Sequence, residues 1–90
     1  MISFAVGDDG TLSDRRLFVR VGVVDEASGP GAYPDGLRLG PDGNFYIAQY
    51  SKGRIVVVSP DGKFVKAIEV PSTTAPNLAF SADGRTIFVT

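Results

Sequence analysis

Two copies of one pattern, 41 residues apart, restrict this chain to very few architectures. Asp42-Gly43 recurs as Asp83-Gly84, Leu37-x-Leu39 recurs as Leu78-x-Phe80, and Phe45-Tyr46-Ile47-Ala48 recurs as Ile87-Phe88-Val89-Thr90 after one inserted residue. A second correspondence links Phe4-x-Val6-x-x-Asp9-Gly10-x-Leu12 to Val56-x-Val58-x-x-Asp61-Gly62-x-Phe64. These Asp-Gly pairs lie between apolar runs of β type, where glycine supplies the positive φ that a tight hairpin turn needs. A repeat near 40 residues with four strands per unit is the signature of a β-propeller blade.

Taken in order, residues 2–6 and 17–24 read as two strands joined around Asp9-Gly10. A loop at 25–33 follows. Residues 37–39, 45–50, 54–58 and 64–70 read as a four-stranded antiparallel meander, and after 71–75 the pattern restarts with 78–80 and 86–90. No segment keeps a helical period for long enough to count. The expected fold class is all-β, part of a propeller: residues 1–25 give the outer strands of one blade, 34–70 a complete blade, and 76–90 the inner strands of the next. Closure needs at least about four blades. The pattern is therefore expected to be a piece of a larger propeller, cut within blades at both ends.

Composition narrows the chemistry. Hydrophobic residues make up 43% and charged residues 21%, a globular balance. The net charge of −1 gives no electrostatic reason to expect nucleic acid or an acidic membrane as partner. No apolar run reaches the length of a membrane span. Cysteine and histidine are both absent. That removes disulfides, thiolate ligands, a cysteine nucleophile and the commonest general base, so any metal must be held by oxygen. Compartment is left open.

Asp35-Gly36 stands apart from the other Asp-Gly pairs. It has a strand after it but only the loop Ser28-Gly29-Pro30-Gly31-Ala32 before it, so it marks the entry to a strand rather than a hairpin turn. Tyr33-Pro34-Asp35-Gly36-Leu37, Gly43-Asn44-Phe45-Tyr46-Ile47-Ala48-Gln49-Tyr50, Gly53-Arg54-Ile55, Pro60-Asp61-Gly62-Lys63, Ile68-Glu69-Val70-Pro71 and Pro76-Asn77-Leu78-Ala79-Phe80 occur in that order. Together they resemble the gluconolactonases of the regucalcin (senescence marker protein) family. Asp9-Gly10-Thr11-Leu12-Ser13-x-Arg15-Arg16-x-Phe18 also resembles the hairpin that precedes this blade in them. The resemblance covers nearly the whole chain. It implies a six-bladed propeller with a divalent cation, calcium or zinc, at the mouth of its channel, and hydrolysis of sugar lactones or related esters. It implies Asp35 as a metal ligand, with a catalytic role through that metal. The family's other side-chain ligands, an Asn-Gly and a Glu, have no counterpart here and would lie before Met1.

Other features have plainer explanations. Asp8-Asp9-Gly10-x-x-x-Asp14 lacks the alternating ligands and terminal Glu of a calcium loop. Gly29-Pro30-Gly31 lacks the later glycine and helix of a phosphate cradle. Tyr46, Tyr50, Phe45, Phe64 and Phe80 suit packing between blades, and Arg15-Arg16 a solvated edge. Ser51 and Ser59 have no basic partner for nucleophilic catalysis. In the third unit Pro76-Asn77 falls where Asp35-Gly36 would, leaving Asn77 as a pocket-lining candidate. The expected partners are a small lactone and the remaining blades, or further copies of the chain if it stands alone. A non-catalytic propeller that binds a protein or carbohydrate is the alternative, because fold alone does not fix function.

Overall fold

In the computed structural model, which describes Met1–Thr90, turn chemistry sets the strand pairing. Gly43 takes φ 80° and Gly62 φ 81°, a conformation that costs glycine nothing and other residues strain. Around these turns and the Ser51-Lys52-Gly53 bend, strands β3 (Pro34–Leu39), β4 (Phe45–Gln49), β5 (Arg54–Val58) and β6 (Phe64–Glu69) pair antiparallel in sequence order. This is a complete four-stranded meander. Two smaller sheets flank it: β1 (Ile2–Val6) with β2 (Leu12–Leu17), and β7 (Leu78–Phe80) with β8 (Ile87–Val89).

Alternation along β4 and β5 splits the core into two halves, one on each face of the central sheet. Ile47, Val56 and Val58 pack with Val19 and Val21 on one face, with Phe18 set edge-on to Phe45 at 5.3 Å. On the other face Tyr46, Ala48, Ile55 and Val57 meet Leu78, and Tyr46 lies edge-on to Phe80 at 4.9 Å. Each fully buried aliphatic side chain contributes about 1.5–3 kcal/mol. The β4–β5 pair, apolar on both faces, is thus the energetic centre. Of the aromatics expected to pack between sheets, Phe45, Tyr46 and Phe80 do, whereas Tyr50 and Phe64 stay exposed.

One expectation is corrected. The strand read at residues 17–24 ends at Leu17; the partner of β1 is β2, Leu12–Leu17, and Val21–Val24 is a single helical turn, α1, followed by a 3-10 turn at Glu26–Ser28. The hairpin loop decides this, because Val6 pairs directly with Leu12, so the return strand begins as soon as the turn closes. The apolar residues beyond it serve another purpose. Val19 and Val21 are buried against the central sheet, and a helical turn delivers them there while the chain crosses from one sheet to the next.

The outer faces remain bare: Ile2, Phe4, Val6, Leu12, Leu39, Phe88 and Val89 are all exposed. Unpaired strand edges and exposed apolar side chains invite pairing with other chains. The isolated 90-residue chain is therefore expected to associate. Sedimentation at micromolar concentration checks this, and a cooperatively folded monomer would contradict it.

Candidate functional site

Asp35 lies in an irregularity of β3. Pro34 pairs with Gln49 and Leu37 with Ile47, so Asp35 and Gly36 together face the single residue Ala48. This two-against-one arrangement is a β-bulge, which bends its strand and re-aims a side chain. The bulge is pinned from the neighbouring sheet. The Gly36 N–H donates to the Pro76 carbonyl at 2.7 Å, and a Cβ on Gly36 would come within 2.7 Å of the Asn77 Cα. Glycine is needed here for close approach between two backbones, not for a turn. Asn77 is thus brought against Gly36, the residue next to Asp35, across this seam.

The carboxylate just before each hairpin-turn glycine is occupied. Asp9 accepts from the Thr11 hydroxyl at 2.7 Å, Asp42 from the Asn44 amide at 2.9 Å and the Tyr46 hydroxyl at 3.0 Å, and Asp83 from the Ser81 hydroxyl at 2.6 Å. Asp61 accepts from the Ser59 hydroxyl in the same manner. These hydrogen bonds favour the charged form and hold all four carboxyls below the usual aspartate range. Burial, helped by its bond to Asp42, pushes the Tyr46 hydroxyl up. Asp35 differs. It is exposed, and its carboxylate takes part in no hydrogen bond or ion pair. No group of three or more carboxylates surrounds it.

Beneath the bulge lies a buried polar network that the sequence did not reveal. Gln49, the partner of Pro34, is fully buried, and its amide donates to the Ser28 hydroxyl at 2.9 Å. The Ser28 hydroxyl donates to Asp25 Oδ2 at 2.7 Å. Arg54 closes the chain, with Nη2 3.1 Å from the same Asp25 oxygen and Nε 2.9 Å from Glu69 Oε1. The Nε contact is close but poorly aligned as a hydrogen bond. Asp25 and Ser28 sit in the loop before β3, so the network ties that loop to β4 and β5. Of the two serines considered for catalysis, Ser51 only ties its loop to the Gly31 carbonyl at 2.6 Å, and Ser59 belongs to the Asp61 turn.

Comparison with known proteins bears on the family and the fold. The family model described as SMP-30/Gluconolactonase/LRE-like region matches residues 1–90. A 6-deoxy-6-sulfogluconolactonase of Pseudomonas putida is 31% identical over 88 residues, covering 97% of this chain and 28% of that protein. The structure of a gluconolactonase from Xanthomonas campestris superposes with a TM-score of 0.77 at 30% identity, over 99% of this chain and 26% of the other. A luciferin-regenerating enzyme superposes at 0.76 with 22% identity, over 99% and 28%, and so shares the fold. The chain thus spans about a quarter of the length of the proteins it matches. The meander sheets are those of a β-propeller fragment. With the match running from the first residue to the last, this chain belongs to the SMP-30/gluconolactonase/LRE-like family.

Proposed function

We propose that the propeller to which these blades belong is a hydrolase of sugar lactones or related esters that uses a divalent cation, calcium or zinc, and that Asp35 is one of the cation's ligands. A single contrast carries the reading. The aspartate before each hairpin-turn glycine, Asp9, Asp42, Asp61 and Asp83, accepts hydrogen bonds from its own turn, whereas Asp35 keeps its carboxylate oxygens unengaged on an exposed bulge pinned to the next sheet, a setting that Asp8, also without a partner, does not share. A hard cation takes oxygen ligands of this kind, and needs several converging from different segments. Asp35 would supply one of them. The relatives' names, a gluconolactonase and a 6-deoxy-6-sulfogluconolactonase, support a cyclic ester as the substrate class.

A bound divalent cation supplies Lewis acidity at the lactone carbonyl. The chain's own residues do the rest of the local work. The Asp35 carboxylate would hold one coordination position and could accept a proton from an attacking water, and the Gly36–Pro76 hydrogen bond fixes the backbone that carries it. None of this requires histidine or cysteine.

Chelation tests the reading. Hydrolysis of glucono-1,5-lactone by the intact propeller is expected to fall to background after dialysis against EDTA and to return on adding calcium or zinc. Hydrolysis that survives complete metal removal would sink the cation's role, and no hydrolysis of any aldonolactone under either condition would favour a non-catalytic binding propeller.

A further inference from the structure

We propose that Arg38, together with Asn77, forms a subsite for an oxyanion, a sulfonate or phosphate, carried by the lactone at the end remote from its ester; this rests on the lactonase reading and specifies its substrate. Arg38 pairs with Tyr46 across the β3–β4 ladder, so the two side chains leave the same face of the central sheet, the face against which β7 packs. There β3, β7 and β8 enclose a groove of about 190 Å³ lined by Arg38, Asn77, Leu78, Ala79, Phe88 and Thr90. A water occupies about 30 Å³ of liquid. The groove therefore has room for a sulfonate or phosphate group and part of a sugar.

The polar lining is rich in donors and holds no carboxylate. One Arg38 N–H goes to the Leu37 carbonyl at 2.7 Å, which steadies the guanidinium and leaves its other donors free. Arg38 takes part in no ion pair. Asn77 Oδ1 already accepts from the Leu78 N–H at 2.9 Å, which leaves its NH₂ to donate. Thr90 is fixed alongside by donation of its N–H to the Asn77 carbonyl at 3.1 Å. The Thr90 hydroxyl donates to the same carbonyl at 3.4 Å, so the free donors are the planar Arg38 fork and the Asn77 amide, a set that matches an oxyanion. Gly36, next in the chain to Asp35, touches Asn77. The groove thus adjoins the bulge at Asn77.

The experiment compares glucono-1,5-lactone with its 6-phosphorylated and 6-sulfonated forms, using the intact propeller and its Arg38→Gln and Arg38→Lys variants. For Arg38→Gln, the ratio of kcat/KM on a charged lactone to that on the neutral one is expected to fall by about tenfold or more, the scale of a lost hydrogen bond to a charged group. The fall should lie mainly in KM, with Arg38→Lys in between. Whichever charged lactone shows the larger fall identifies the oxyanion. An unchanged ratio for both overturns the subsite. If the parent hydrolyses none of the three, the lactonase reading has failed, and calorimetric binding of 6-phosphogluconate decides the subsite by itself: binding lost in Arg38→Gln supports it, while equal or absent binding overturns it.

Discussion

Replacing Asp35 with asparagine in the intact propeller is expected to lower lactone hydrolysis by at least about tenfold, which corresponds to about 1.4 kcal/mol of barrier. Asparagine keeps the shape and one ligating oxygen but removes the negative charge, so the loss should come with weaker metal binding and be recovered in part by excess cation. The fold should survive, because Asp35 is exposed and supports no hydrogen bond. Asp42→Asn is the matched control. It changes a carboxylate that accepts from Asn44 and Tyr46, so its effect belongs to stability rather than to metal dependence. Hydrolysis measured over a metal titration, with circular dichroism as the check on folding, separates the two. Equal activity of parent and Asp35→Asn at every metal concentration would remove Asp35 from the chemistry and turn the balance toward a binding propeller.

Arg54→Ala is expected to produce the largest loss of stability, about 3 kcal/mol, the scale seen when one partner of a buried ion pair is removed. Its side chain is 13% exposed and that of Asp25 only 6%, so the mutation strands a carboxylate away from water with Ser28 as its remaining donor. Glu69 tells the opposite story. It is 73% exposed and its ion pair with Arg54 is solvent-screened, so Glu69→Gln should cost less than about 1 kcal/mol. Removing both charges of the buried pair, as in Asp25→Leu with Arg54→Met, should recover much of the loss, because the penalty lies in the uncompensated charge. Denaturant unfolding of the set checks this. An Arg54→Ala protein as stable as its parent, or a double variant no better than the single one, would show that the network carries little energy.

The contrast between what could and could not be read from the residues follows the range of the forces involved. Asp42-Gly43 and Asp61-Gly62 specify their turns locally, and the strands on either side were legible because their pairing follows from those turns. The run from Leu17 to Val24 misled. Its β-branched residues suit a strand, but their burial is set by Ile47, Val56 and Val58, residues distant in sequence, so tertiary packing overrode local propensity. Asp35 was singled out by its odd position before a strand and by family resemblance. The bulge beneath it was not legible, since it exists only in the register between Pro34, Leu37 and their partners on β4. The meeting of Asp25, Ser28, Gln49 and Arg54 was not legible, because nothing in their spacing announces it.

The seam at Gly36 has a consequence for how such a protein diversifies. The Asp35 backbone is held from the next sheet by the Pro76 carbonyl, and Asn77 fills the space a side chain on Gly36 would need. Changes at Asn77 and its neighbours would therefore shift the backbone that carries the carboxylate without altering Asp35 itself. A library randomised at Asn77 and Thr90 should yield altered substrate range more readily than one randomised along β3, where the bulge tolerates only glycine beside the aspartate.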